Sequence, residues 1–492
     1  LLGEVSTLRD SFGKVTIYNY DTNGNLSGVL QPRALGNASL RNTNGHTVSY
    51  EYDEANRKIK EINADNKETA YFYNANGTID HTIDRQNADD SQSDHVITYD
   101  YDALNRILSQ TDAYDNDVNF VYDDIGNLTR QTDELGRVSE YEYDAFSRKV
   151  VDRDPLGNVT RYTYDENGNI LRTTYPDLTV TNYVYNDVNQ VTRIEDNSGN
   201  ATVYGYDAVG NKTTETDKRG NTTSFVYDKL NRLETETNSQ ATVTTYTYDN
   251  NGNKLSQSVE GTVTGFVYDA LNRVTEIMHP GNKSESYSYD SEGHVLTHAD
   301  GNEAANITAY LYDALGQVLS KTLSDGSVMS YLYDNWGNRT RVSTPELDTT
   351  YTFDYLNRLV QETQTLTDLP GESKTITRGY ALDSQLNSLT DASGKVFQYA
   401  YDNRGLLRTV QYLDQPIATY AYNAFGKPAS LTYANNYTTE YAYDNLQRLE
   451  DQTIKNAQAQ AVWSHEYSYD AESNRTSLVE ALPSGSEGTD RT

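Results

Sequence analysis

Along the chain, apolar and polar residues alternate in short runs, and Asp, Asn and Gly cluster between the runs. Tyr162-Thr-Tyr-Asp-Glu-Asn-Gly-Asn-Ile-Leu-Arg and Asp133-Glu-Leu-Gly-Arg-Val-Ser-Glu-Tyr-Glu-Tyr show the two halves of the pattern. Two aromatics at positions i and i+2 share one face of a strand and cannot share one face of a helix. Thr, Val and Tyr dominate the runs, and the clusters that bound them are turn formers. Asp at the first position of a turn accepts from the backbone two residues on, and Gly or Asn takes the positive φ. The pattern predicts strands and turns throughout, with no helical periodicity.

The runs are one repeat. Aromatic-x-Tyr-Asp recurs with its second aromatic at 20, 52, 73, 101, 122, 143, 164, 185, 206, 227, 248, 268, 289, 312, 333, 353, 382, 401, 422, 443 and 469. Those are 21 copies, with Phe353 and Leu382 departing at the second aromatic, and twelve of the twenty intervals are 21 residues. The candidate structural signature is Tyr99, Tyr101 and Asp102; Tyr122, Asp123, Gly126 and Asn127; and Tyr141, Tyr143 and Asp144. It continues through Tyr162, Tyr164, Asp165, Gly168 and Asn169, and through Tyr204, Tyr206, Asp207, Gly210 and Asn211. Each unit reads as two strands and two turns.

A second period lies over the first. Turns ending Gly-Asn alternate with turns ending Asn-Arg or Ser-Arg: Ala103-Leu-Asn-Arg106 precedes Asp124-Ile-Gly-Asn127, and Ala145-Phe-Ser-Arg148 precedes Glu166-Asn-Gly-Asn169. The unit in the middle of the chain is therefore 42 residues, and alternate copies meet different surroundings.

Composition sharpens this picture. Of 492 residues 43 are Tyr, against 9 Phe and 2 Trp, and 37 of the tyrosines lie in the motif, so tyrosine content and repeat are one fact. The net charge of −32 argues against nucleic acid or an anionic membrane as partner. Zero Cys excludes disulfides and a thiol nucleophile. No stretch approaches the ~20 apolar residues of a membrane helix. The opening at Leu1, in mid-pattern, reads as an excerpt of a longer or processed chain.

With units such as Tyr99-Asp-Tyr-Asp-Ala-Leu-Asn-Arg106 and Tyr204-Gly-Tyr-Asp-Ala-Val-Gly-Asn211, the chain resembles the YD-repeat (Rhs) family from about Asp10 to Arg475. The resemblance implies an all-β fold: a spiral of antiparallel β-hairpins forming a curved continuous sheet, a segment of a shell or tube. In bacterial Rhs polymorphic toxins, insecticidal toxin-complex shell proteins and teneurins, such a sheet encloses a space, and the bacterial members hold a toxic domain inside. Those shells also carry a C-terminal plug with an aspartate autoprotease signature, which is not found in Val479–Thr492.

The array is expected to span 1–478, with insertions near 28–48, 82–96, 365–376 and 452–463, and 479–492 as a linker or disordered tail. The insertions are polar or turn-rich, as hairpin tips tolerate.

Candidate chemistry is sparse. The Asp-x-x-Gly-Asn turns resemble calcium loops superficially but offer one or two carboxylates each, where a calcium-binding hand needs several. Of seven His only His294 and His298 are close, and no further ligand accompanies them. No nucleophile elbow or phosphate loop is present. Tyrosine ladders suit sugar recognition, but they also suit cross-strand aromatic pairs that replace a conventional core. The expected role is non-catalytic, with no cofactor and no metal. The expectation is a structural segment of a secreted or cell-surface, bacterial protein, its partners the rest of its parent chain or an enclosed toxin cargo, with self-association through sheet edges. The alternative is an adhesive or filament-forming surface protein that binds glycans.

Overall fold

The computed structural model describes residues 6–9, 15–31, 45–63, 66–85, 95–301, 306–313, 315–334, 336–354, 356–369, 371–481 and 490–491. Parts of the expected insertions, 32–44 and 86–94, and most of the tail, 482–489 and 492, lie outside the described residues. The described residues form 44 strands of one antiparallel sheet and no helix. The strand Arg475–Ala481 extends past residue 478.

Successive strands pair as hairpins. Val159–Tyr164 pairs with Ile170–Thr174, which pairs in turn with Val180–Tyr185. At each Tyr-Asp the register slips by one residue, as between Thr163↔Arg172 and Tyr164↔Ile170. The slip leaves Leu171 unpaired, a bulge just beyond the three-residue hairpin loop 166–168, whose last residue is left-handed. The left-handed residue is Gly126, Gly168 and Gly210 in one class of turn, with φ of 99°, 91° and 96°. It is Asn105, Ser147 and Asn231 in the other, with φ of 62°, 62° and 59°. The turns at the opposite ends of the strands are built alike: Asp133 N–H donates to Arg137 O, and Gly136 N–H to Asp133 O.

One copy sits differently from the sequence reading. Ala381 N–H donates to Gln385 O and Ser384 N–H to Ala381 O, so Ala381, not Asp383, occupies the aspartate position of that turn. Tyr380 is then the second aromatic, and Leu382 belongs to the loop. The corrected spacing from Tyr380 to Tyr401 is the standard 21 residues.

Burial alternates along the strands. In Val243–Tyr248 and Asp117–Tyr122 exposed and half-buried residues strictly alternate, with both motif aromatics on the half-buried face. Among the described residues the buried apolar side chains are Leu30, Ile62, Ala70 and Val151, and none is fully covered. The tyrosine face is what this sheet has in place of a packed interior.

The chain divides into two units, 1–118 with 246–378, and 119–245 with 379–492. In the first, Lys67 Nζ lies 5.8 Å from the Trp336 ring and the Arg358 guanidinium 5.7 Å from the Tyr114 ring. In the second, Arg137 pairs with Asp383 at 3.1 Å, Gln447 Nε2 donates to Asp177 Oδ2 at 3.1 Å, and Arg219 pairs with Asp470 at 3.3 Å. In both units the turns opposite the tyrosines in the earlier stretch meet tyrosine-side turns of the later one. The partners stand roughly twelve 21-residue repeats apart, with Ser198 and Asn445 separated by 247 residues.

Candidate functional site: the repeat turn and its tyrosine

The Tyr-Asp turn is a closed hydrogen-bonding unit. Asp165 Oδ1 accepts from the N–H groups of Asn167 and Asn169 at 2.9 and 2.8 Å, and Oδ2 from Asn169 Nδ2 at 2.8 Å. Asp207 does the same with Val209 and Asn211, and Asp123 with Ile125 and Asn127. In the other class Arg replaces Asn: Arg106 Nε donates to Asp102 Oδ2 at 2.6 Å and Arg148 Nε to Asp144 Oδ2 at 2.7 Å. These donors stabilise the charged form and hold the carboxyls below their ordinary value. The leading cause is the Arg148 side chain at Asp144, the Asn169 side chain at Asp165, the Asn211 side chain at Asp207, and the Arg106 N–H at Asp102. Both carboxylate oxygens of these turns are spent on their own loop, which leaves little for a calcium ion.

The 42-residue period has a direct cause. Arg148 Nη1 reaches forward to the carbonyl of Asp165 in the next turn at 2.7 Å, and Arg273 to that of Asp290 at 2.8 Å. The Gly-Asn turn then reaches forward in its own way: Asn169 Nδ2 donates to Asn189 Oδ1 at 2.8 Å, Asn211 to Asn231 at 3.0 Å, and Asn253 to Asn272 at 2.7 Å. Each class binds the other. The alternation visible in the sequence is thus a chain of unlike turns, each supplying what the next accepts.

The second tyrosine ties one hairpin to the one before. Backbone pairing between Lys149–Arg153 and Val159–Tyr164 stops at Val151↔Arg161, short of the turn. There the Tyr164 hydroxyl donates to Lys149 O at 2.6 Å. Tyr185, Tyr206 and Tyr227 repeat the bond to Ile170, Val191 and Lys212, each at 2.9 Å. Tyr73, Tyr289, Tyr333, Tyr401 and Tyr422 do likewise, at 2.6–3.0 Å. A phenylalanine could not replace this donor. Burial raises the pKa of Tyr101, Tyr143 and Tyr185, in keeping with rings set into the sheet.

Cations cover the ring faces. Lys149 Nζ stands 5.2 Å from Tyr141 and 5.8 Å from Tyr162, between the first aromatics of successive repeats. Lys212 lies likewise between Tyr204 and Phe225. The Arg148 guanidinium lies 4.8 Å from Tyr164. The expected aromatic pairs are therefore replaced, in these repeats, by cation–π contacts and hydroxyl-to-carbonyl bonds. Tyr310–Tyr312 and Tyr420–Tyr422 do approach ring to ring, at 6.4 Å, but along a single strand. Second-position rings such as Tyr164, flanked by a cation and with the hydroxyl committed to backbone, make poor sugar platforms. The recurring Lys directly after the turn (Lys58, Lys149, Lys212, Lys254) was the sequence signal for this cover.

His294 and His298 do not act together. His294 takes the Asn/Arg place in its turn, Nδ1 lying 2.8 Å from Asp290 Oδ2, and stacks on Tyr312. His298 stacks on Tyr287, whose hydroxyl donates to Glu285 and whose pKa is pushed up to about 12 by burial and that carboxylate. Among the described residues the one group with metal-like spacing is Asp290, Glu292 and His294, and it is the same turn-closing arrangement found in its neighbours. No described helix is long and apolar enough to cross a membrane.

Comparison with known proteins agrees with this architecture. A model of the teneurin YD-shell family matches residues 209–358, and a model of the RHS repeat matches 122–152, 149–180 and 185–223. No curated protein sequence matches significantly. The crystal structure of TcdB2-TccC3 superposes with a TM-score of 0.66 at 14% identity, over 97% of this chain and 31% of its own. That of TcdB2-TccC3-Cdc42 gives 0.64 at 13%, over 95% and 36%. That of TcdB2-TccC3 without its hypervariable C-terminal region gives 0.55 at 12%, over 97% and 35%. The chain spans about a third of the length of these neighbours, and the likeness is one of fold.

Proposed function

We propose that this chain, an array of YD (Rhs) repeats, is a non-catalytic segment of a wall that encloses a cargo such as a toxin domain, in a protein exported from the cell or displayed on its surface. The observation that carries the reading is the hydroxyl-to-carbonyl bond from one hairpin to the one before, which recurs along the array, as Tyr164 makes to Lys149. It closes the sheet where backbone pairing ends, so the structure resists fraying at the turns without a packed core behind it. Such a wall works mechanically, keeping its contents from acting or being degraded until release. The fold shared with TcdB2-TccC3 and the match to the teneurin YD-shell support a shell role. The acidic surface favours solubility and disfavours adhesion to anionic membranes.

The test uses the parent gene product that carries these repeats. Under native conditions a protease should spare any domain the repeats enclose, and should cut it once denaturant unfolds the array. Digestion of that domain at the same rate with and without the folded array would reject enclosure.

A further inference from the structure

Within the unit 119–245 and 379–492, the outermost residue of each tyrosine-side turn, two past the aspartate position, exists in two states. In the later stretch it is covered by turns of the earlier one. The Phe425 ring lies 6.1 Å from Tyr175, and the Glu472 carboxylate accepts from the Lys218 N–H. In the earlier stretch the same position holds Ile125, Phe146, Val188, Val209 and Leu230, 68–80% exposed. Phe146 has the Arg148 guanidinium of its own turn 5.2 Å from its ring.

Turn geometry does not require an apolar residue here, because Asn167 fills the same place. Tyrosine-side turns are two strands apart, ~10 Å, so the row extends over roughly 50 Å. Five apolar side chains aligned along one rim, each two-thirds or more exposed, are more than the scattered single residues of an ordinary surface.

The opposite turns of the later stretch are bare too. Leu413 is 75% exposed, and Tyr433 and Tyr437 also reach solvent. One chain thus presents both halves of a joint that it also makes internally, as where Tyr175 meets Phe425.

We propose that a second copy of this chain covers the row, its Leu413 and Tyr433 turns seated on Ile125, Val209 and their neighbours, continuing the internal joint from one copy to the next. The contact is heterologous, so copies add head to tail. Charge permits it: the turns 391–395, 412–415, 433–437 and 456–460 carry two carboxylates (Asp391, Asp414) and one ammonium (Lys395), a near-neutral face for the acidic tyrosine-side turns.

Sedimentation velocity over a concentration series tests it. The intact chain should gain mass with concentration, while Val209→Asn/Leu230→Asn and, separately, Leu413→Asp should remain monomeric with unchanged circular dichroism and melting. Mixed, the two variants should form a one-to-one dimer and nothing larger, because each retains one open rim. A chain that stays monomeric at its highest soluble concentration would overturn the proposal. So would association that survives both variants, or a mixture that grows past the dimer.

Discussion

Asn169 Nδ2 donates to Asn189 Oδ1 across 2.8 Å, while Asn189 itself holds the left-handed place in its turn, with φ of 63°. Asn189 therefore serves its own loop through its backbone and the preceding one through its side chain. Asn189→Gly gives up the link but releases the backbone, and should be near neutral. Asn189→Ala gives up the link and adds about 1 kcal/mol of left-handed strain. Equilibrium urea unfolding of the two variants should separate them by about that amount.

Gly168 isolates the backbone contribution. Its φ is 91°, and a Cβ added there meets nothing within 4 Å. Gly168→Ala should cost about 1–2 kcal/mol through conformation alone. Gly168→Asn should cost less, because Asn fills the equivalent place at Asn105 and Asn231. Equal losses for Ala and Asn, read from the same unfolding curves, would contradict this account of the turn.

Arg148 joins three partners in two successive turns: Asp144 Oδ2, the Asp165 carbonyl and the Tyr164 ring. A lysine keeps the charge but lacks the planar fork that spans them. Arg148→Lys should lower stability by roughly 1–2 kcal/mol. The corresponding change at Arg153, a strand residue whose Nε lies 3.4 Å from Glu140, should do much less.

Acid should undo the turns. Asp144, Asp165 and Asp207 are held below the ordinary carboxylate value by their Arg and Asn donors. A depressed folded pKa contributes stability that is complete above the unfolded value of about 3.9 and is lost as pH falls through the folded one. The urea midpoint should therefore fall steeply below about pH 4. Asp165→Asn with Asp207→Asn, copying the natural Asn74 and Asn186, should flatten that acid limb. A midpoint indifferent to acid in the unsubstituted chain would contradict the prediction.

Much of this was legible in the residues. Tyr162 and Tyr164, two apart, placed both rings on one strand face, and Asp165 with Gly168 defined the turn, because strand period and left-handed φ are local properties. The alternation of Arg148 and Asn169 was visible, but its cause was not: the bond from Asn169 to Asn189 and that from Arg148 to the Asp165 carbonyl bridge neighbouring turns, and no local rule reports them. The hydroxyl's role was missed for the same reason, since Lys149 is fifteen residues from Tyr164. Tyr380 was displaced to Leu382 because Asp383 completed a Tyr-x-x-Asp spacing, whereas hydrogen bonding at Ala381 decides the register. Contacts such as Arg137 with Asp383 depend on residues some 250 positions apart and have no signature in one sequence.

The central claim is that recurring tyrosine hydroxyls bind one hairpin to the one before. Replacing Tyr164, Tyr185, Tyr206 and Tyr227 together by Phe keeps every ring and removes the donors to Lys149, Ile170, Val191 and Lys212. Native-state hydrogen exchange should then show faster opening of strands between 149 and 227, each lost bond weakening them by about 1 kcal/mol, with strands elsewhere unchanged. Protection between 149 and 227 equal to that of the unsubstituted chain would contradict the account.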